Sequence, residues 1–525
     1  TNHSVDLVVC FDPTASLTKL PPDRLRRLLV PGGSAILPLR SNTALRSDEQ
    51  SLPELNVEPW RLDERQLSVA TTSDLPGSAD WNHIYGRADN SAFAGETLDG
   101  ARVAEDFDVQ WLGRPGPRYQ ADRNGRKVPP LASNGSLYLQ GLDRVVAVAA
   151  HNGVVRWSLE IPGFRRCNMP RDCGNWCVDD DWLYAAVDDA CWRINASNGN
   201  VERRLELPPG KPSDSGDAEA LENSPRQWGY IAQTERFVLG TSTAAGASWT
   251  DFWGGPGWYD AEEGAAAAKV LGRQLFALNK QSFQPAWTYQ RGAILHSTIT
   301  VANSRVFFVE CRHPEVVANE TGRFGGPKLW QKQFLTALDL DSGEVVWEAP
   351  LDTVDGVVVF SMAHGSDKLV IVSSNSGRYH VYGMSDEDGR QVWKAEFAWG
   401  KGKADHGTHL ARPAIVGSQV FVRPVVIDLE SGAITNDRMP VGGCGTYACT
   451  TEALFFRSWS GGDFAMWTPE SEEYTMWSRL RPDCWLSTIP AGGMLLSPEG
   501  GGGCSCGKWL ETSLGFIPKT RLTSP

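Results

Sequence analysis

One short pattern recurs along most of this 525-residue chain and restricts its possible folds more than any other feature. The cleanest copy is Ala337-Leu338-Asp339-Leu340-Asp341-Ser342-Gly343-Glu344-Val345-Val346-Trp347: a strand, a tight turn ending in Gly, then a strand carrying Trp. The spacing returns at Ala147, Gly153 and Trp157, at Gly389 and Trp393, and at Ala277, Phe283 and Trp287, where Phe replaces the turn glycine. Degenerate copies run through Asn195, Gly199 and Arg203 and through Asp428, Gly432 and Asn436, and another leads into Trp477. Before each copy stands a second signature: an apolar strand, a polar turn, then three apolar residues, as in 131–139, 299–308 and 415–422.

Short alternating strands joined by Gly, Asn and Asp turns build antiparallel sheets. The Asp before the turn suits bonding to the turn's own amides. The Trp four residues after Gly is large enough to cover the gap to a neighbouring sheet. Sheets of this size arranged radially leave only short edges, so the pattern predicts a β-propeller. Seven repeats run in sequence, at about 128–159, 175–207, 228–289, 299–350, 357–397, 412–437 and 446–478. The stretch 484–518 supplies three further strands and lacks an outer one, and the lone strand 106–111, which also bears Trp, suits that place. The expectation is therefore an all-β chain: an eight-bladed β-propeller of four-stranded antiparallel blades over 106–525, closed by its N-terminal strand.

Residues 6–39 read strand, helix, strand: Asp6-Leu7-Val8-Val9, then the Pro22–Leu29 helix, then the Pro31-Gly32-Gly33 turn into Ala35–Leu39. This segment resembles the closing part of a class I methyltransferase domain. The glycine-rich loop that would hold a methyl donor lies outside the sequence, so residues 1–40 are expected to be a small α/β stub. Polar, Pro-, Asp- and Ser-rich residues 41–105 read as a linker wrapping the propeller, pinned by Trp60, Trp81 and Tyr85. The first residues carry Asp6 and Asp12 and no basic start, so they do not read as a signal peptide. A processed chain or a piece of a longer protein is expected, with the upstream part of the same protein as a partner.

Charge bounds the function. A formal net charge of −13 argues against sequence-independent nucleic-acid binding, which needs a basic face. No apolar run has the length of a membrane span. Gly is 53 residues and Trp 21, and blade turns and docking positions account for much of both. Trp249, Trp253 and Trp258 do not fit that explanation, because they lie in a long insertion, 242–272, that the repeat does not require. There they suit a lid or a sugar-stacking platform.

In a propeller, the loops leading into each innermost strand and those joining its second and third strands share one face. Counting register back from the second strands sets Cys173, His296, Cys444 and Cys484 at equivalent positions, with His409 one residue away. His406-Gly407-Thr408-His409-Leu410-Ala411-Arg412 is the richest polar constellation. His406 and His409 suit a base and Arg412 an anion clamp. Arg423 and Arg457 follow their second strands at similar places and, with His296 and Trp485, complete a candidate ligand-binding set. Several arginines at one mouth would draw an anionic ligand.

Cysteine is an odd 11. Cys444, Cys484, Cys504 and Cys506 fall on blades expected to be adjacent, and Cys167, Cys173, Cys177 and Cys191 form a second group. Disulfides tying neighbouring blades are one reading. A thiolate site for zinc or Cu(I) in the first group is the other.

The Ala-x-Asp and Gly-x-x-x-Trp repeat resembles the quinoprotein-like (PQQ-like) β-propeller family, over about 400 residues. The order of methyltransferase-like stub, Asp80-Trp81-Asn82-His83 segment and propeller, together with Cys504-Ser505-Cys506 and Thr512-Ser513-Leu514, is similar to large secreted planctomycete proteins. The resemblance implies a periplasmic or extracellular location. It also implies PQQ with calcium as a cofactor, but the adjacent Cys-Cys pair of the alcohol dehydrogenases is missing and no calcium ligand set follows from spacing. Three functions stay open: a binding or scaffold module for a small molecule or anionic polysaccharide, a quinoprotein-type dehydrogenase, and a lyase on anionic polysaccharide using His406 or His409 with Arg412 or Arg457.

Overall fold

A computed structural model describes residues 3–10, 22–38, 55–62, 65–113, 128–141, 143–164, 174–209, 225–248, 267–399, 411–443, 445–458, 463–480, 485–499 and 512–523. Strands dominate it, and the few helices are short.

The N-terminal part forms a four-stranded sheet with one helix. Strand Val5–Val9 pairs in parallel with Leu29–Pro38 across the helix Pro22–Leu28, as a strand–helix–strand unit requires. Residues 55–72, expected to wrap the propeller, instead form the hairpin Leu55–Leu62 and Arg65–Thr72, which extends the same sheet antiparallel. Trp60 is 42% exposed there and pins nothing, whereas Trp81 and Tyr85 are buried.

Antiparallel sheets follow in chain order, numbered here 1 to 8 by their first strands: Leu131–Ser133, Trp176–Val178, Arg226–Gln233, Thr300–Ala302, Val359–Gly365, Ala414–Val416, Ala448–Cys449 and Ile489–Ala491. All but sheet 4 have four strands; sheet 4 gains the short strands Lys269–Gly272, Ala293–Leu295 and Arg323–Phe324. The fourth strand of sheet 8 is Phe107–Gly113, which pairs with Ser513–Pro518 across some 400 residues of sequence.

The recurring turn works as its chemistry suggests. Asp339 Oδ1 accepts from the amides of Asp341 and Ser342 at 3.1 and 2.8 Å. These bonds, Ser342's first, hold its carboxyl below the usual range. Gly343 adopts φ +69°, where a side chain is strained, and a Cβ there would come within 3.0 Å of Trp287 from the preceding sheet. Trp287 Nε1–H donates to Leu340 O at 2.8 Å. Each docking Trp thus lies under the turn glycine of the next sheet. Trp157 lies under Gly199, Trp347 under Gly389 and Trp393 under Gly432, with Nε1–H donating to Ala196, Asp386 and Leu429. Trp111, from strand Phe107–Gly113, lies under Gly153 of sheet 1 and donates to Ala150 O at 2.7 Å.

Where the Trp is lost, the following glycine is lost too. Arg203 of sheet 2 stacks 4.4 Å from the centroid of Phe283, which holds the next turn's left-handed position at φ +60°. Asn436 of sheet 6 donates to Glu472, at φ +55° in sheet 7. Trp477 packs instead on Phe464, Phe107 and Phe516 with centroids 5.0 to 5.7 Å apart. These pairs are coupled. Arg203→Trp and Phe283→Gly should each destabilise, while the double variant recovers about 1–2 kcal/mol of their summed loss, measured from urea midpoints. Simple additivity would contradict the coupling.

Candidate functional site

The first strand of each sheet is an edge strand, and its outward N–H groups need acceptors. Residues 77–97 supply them. Trp81 exchanges both backbone hydrogen bonds with Ala132 of sheet 1, at 2.8 and 2.9 Å. The Val178 amide of sheet 2 donates to Asn82 O at 3.1 Å. The Gln233 amide of sheet 3 donates to His83 Nε2 at 3.1 Å. Val301, His364, Ile415 and Cys449, of sheets 4 to 7, donate to the carbonyls of Ala88, Asp89, Ser91 and Ala92 at 2.8–2.9 Å. Each of these seven donors stands opposite the residue five positions later in its own sheet, so all occupy one register position. In sheet 8, the Gly492 amide donates to Ala79 O and the Gly493 amide to Glu96 Oε2, both at 2.9 Å. The segment therefore meets sheet 8, then 1 to 7 in order, then sheet 8 again.

Within this segment His83 and Gly86 bridge a tight turn whose tip is Ile84-Tyr85. Ile84 packs against Gly174, where a Cβ would come within 3.0 Å of it. The Tyr85 hydroxyl accepts from Trp485 Nε1–H at 3.0 Å, and the Arg412 guanidinium lies 4.2 Å from the Tyr85 ring centroid. Arg412 Nη2 also donates to Ser297 O at 3.2 Å. His296 lies beside it with Nε2 2.8 Å from Thr241 Oγ1. Three expected site residues, His296, Arg412 and Trp485, thus lie in one place. All three are buried, and they enclose the chain's own tip instead of a solvent-facing mouth. The remaining cavity, lined by Ile84, Tyr85, Trp176, His296 and Arg412 among others, has a volume of about 20 Å³, room for one water-sized molecule.

Arg423 reaches Gly445, which bridges Trp485, and Arg457 lies beside Gly443. Arg423 is buried and donates to Gly443 O at 3.2 Å, to Gly445 O and to Tyr447 Oη at 3.1 Å. Arg457 is buried beside Gly443, whose amide donates to Arg457 O. Neither offers a clamp at a surface. His406, His409, Trp249, Trp253, Trp258, Cys167, Cys173, Cys444, Cys484, Cys504 and Cys506 lie outside the described residues. Cys177 and Cys191 correct the disulfide expectation, because both are free and buried. Cys177 opposes Tyr184 and Cys191 opposes Ala186 two strands away. Two strand spacings, about 9–10 Å, exceed the roughly 7 Å Cα separation that a disulfide bridges. Burial pushes both thiols up, which keeps them protonated and unreactive.

Among the described residues, those around the Ile84-Tyr85 tip do not fit a quinone cofactor with calcium. Sites for such molecules measure about 300–1,000 Å³, and the tip occupies the space. Among the described residues no group of three or more His, Cys, Asp or Glu stands close enough to hold a metal ion. Sequence reasoning missed the role of 77–97. Its signal was Trp81 and Tyr85 buried within a polar, glycine-bearing stretch, which reads locally as loop.

Burial also sets the segment's charges. His83 is pushed down to about 3 by burial, then by the Lys280 ammonium. Its Nε2 accepts from Gln233, so the proton sits on Nδ1, 2.6 Å from Asn82 Oδ1. Burial pushes His151, whose Nε2–H meets Gly492 O at 2.9 Å, down to about 4. From pH 6.5 down towards 4 the unfolded chain binds protons that these folded imidazoles exclude, so stability is present above 6.5 and lost on acidification. Each histidine costs about 3 kcal/mol by pH 4. Asp80, Asp89 and Glu96 are raised by burial and act with the opposite sign, favouring the folded state at lower pH. Urea midpoints should fall between pH 6.5 and 4, and His83→Gln should fall less steeply. An unchanged slope in the variant would contradict the assignment.

Residues 247–471 match the family model of the outer membrane protein assembly factor BamB, a model of PQQ-like repeats. No curated protein matches the chain. The quinohemoprotein alcohol dehydrogenase ADHIIG from Pseudomonas putida HK5 is similar in structure with a TM-score of 0.51, at 11% identity, over 84% of this chain and 80% of that one. A europium-containing methanol dehydrogenase is similar with a TM-score of 0.50, at 10% identity, over 80% of this chain and 88% of that one. At such identities these likenesses speak to the fold alone. With the repeat and the docked antiparallel sheets, they show that the principal part of this chain has a β-propeller fold, within which residues 247–471 match the PQQ-like repeat model.

Proposed function

We propose that sheets 1 to 8 are the blades of one eight-bladed ring closed by Phe107–Gly113, and that the protein is an exported ligand-binding or scaffold module acting through one polar face. Closure is supported by Trp111, which docks on sheet 1 as Trp157 docks on sheet 2. The course of 77–97 from sheet 8 through sheets 1 to 7 and back to sheet 8 supports it further. The strands Val5–Val9, Leu29–Pro38, Leu55–Leu62 and Arg65–Thr72 with the helix Pro22–Leu28 then form an α/β unit ahead of the ring in sequence.

The binding reading is carried by one observation: the channel, where the expected residues converge, holds the chain's own Ile84 and Tyr85. Recognition then falls to the loops that lead into the first strands and join the second and third strands, which bear His406, His409, Trp249, Trp253 and Trp258. Their composition suits a small molecule or an anionic polysaccharide. Export is supported by the outer-membrane assembly family whose model matches. No helix of the described residues is long and apolar enough to cross a membrane.

The test uses the full chain in two arms. It is first incubated with PQQ, calcium, alcohols and a redox dye, then with uronic-acid polymers. The expected result is polymer retention with neither dye reduction nor a rise in unsaturated-product absorbance. Dye reduction would replace this reading with a dehydrogenase, and unsaturated product with a lyase.

A further inference from the structure

We infer that residues 77–97 are the resident ligand of the propeller channel, a peptide occupant built into the chain in place of any small-molecule cofactor. The inference rests on the ring reading above and deepens it by naming what fills the axis.

A ring of edge strands presents one inward N–H per blade at a shared register position. Leaving such a group buried without an acceptor costs about 1–3 kcal/mol. A flat quinone has too little reach to serve seven amides spread around a channel. The segment serves all of them in a single circuit, with six carbonyls and the His83 imidazole. Its tip is also selected. Gly174 makes room for Ile84, Trp485 gives its indole N–H to the Tyr85 hydroxyl, and the Arg412 guanidinium covers the phenol ring. Glu96 anchors the return by accepting from the amides of Ala79 and Gly493 at 3.0 and 2.9 Å. A pocket formed for a cofactor and left unfilled would not match its filler at both the strand edges and the tip.

The test inserts a protease recognition site after Gly100, where a side chain would meet nothing within 4 Å, between the segment and strand Phe107–Gly113. After cleavage, the pieces 1–100 and 101–525 should elute as one species under native conditions and separate only in denaturant. Separation on the native column, with the larger piece still folded by circular dichroism, would overturn the inference while leaving the ring intact. In the unmodified chain, dialysis against PQQ with calcium should leave no bound quinone absorbance. One equivalent retained would also overturn it.

Discussion

Trp111→Ala should lower the unfolding free energy by about 3–5 kcal/mol, the usual cost of emptying a buried large aromatic site. Trp111 is 7% exposed, its ring fills the space over Gly153, and its indole N–H satisfies Ala150 O. Removing it opens a cavity between sheets 8 and 1 and leaves a carbonyl without its donor. The strand that carries it, Phe107–Gly113, lies apart from the other strands of sheet 8 in sequence; it is held by its pairing with Ser513–Pro518, by Phe107 against Phe455 and Trp477, and by this dock. Loss of the dock should therefore also make residues 100–113 the first site of proteolysis. Trp111→Phe, which keeps most of the ring volume, should lose less. A urea midpoint unchanged by the Ala variant, to within about 0.5 kcal/mol, would contradict a closing role for Trp111.

Glu96→Ala should cost a similar amount for a different reason. Glu96 is wholly buried, and its carboxylate accepts from four amides: Ala79 and Gly493 on one oxygen, Thr97 and Leu98 on the other, at 2.9–3.2 Å. Burial pushes its carboxyl up, and these bonds pull the other way. Alanine would leave several N–H groups buried without acceptors, at about 1–3 kcal/mol each, so a loss of about 3 kcal/mol or more is expected. Glu96→Gln keeps one oxygen but turns an amide donor towards other donors, and should lose an intermediate amount. Equal stability of the Ala variant and the unaltered chain in urea would show that the segment's return to sheet 8 contributes nothing.

The strands and docks were legible in the sequence because their chemistry is local. Asp339, Gly343 and Trp347 lie within one hairpin, and turn chemistry with period-two patterning places them without knowledge of the remainder. The fit of neighbouring repeats was legible only in half. The Trp side is obvious, while the replacement of glycine by Phe283 and Glu472 gains meaning only beside Arg203 and Asn436 of the preceding sheets. The segment 77–97 was legible only as a linker pinned by Trp81 and Tyr85, not by what it meets. Its partners lie from about 50 to 400 residues away, as with Trp81 to Ala132 and Glu96 to Gly493, and nothing local marks a carbonyl as the acceptor for a distant edge strand. The same long-range event explains the misread site. In the sequence His296 and Arg412 read as polar residues of a solvent-facing site. They face Tyr85 and the backbone of other sheets.

The most direct measurement is amide hydrogen exchange of the unaltered full chain, followed at the inner-edge amides of Ala132, Val178, Gln233, Val301, His364, Ile415 and Cys449 and across residues 77–97. If the segment fills the channel, these amides should exchange as slowly as those of the second strands, with protection lost only when the whole propeller opens. Exchange of the inner-edge amides and of 77–97 within seconds, beside protected second strands, would mean an open channel and would contradict the resident-ligand assignment.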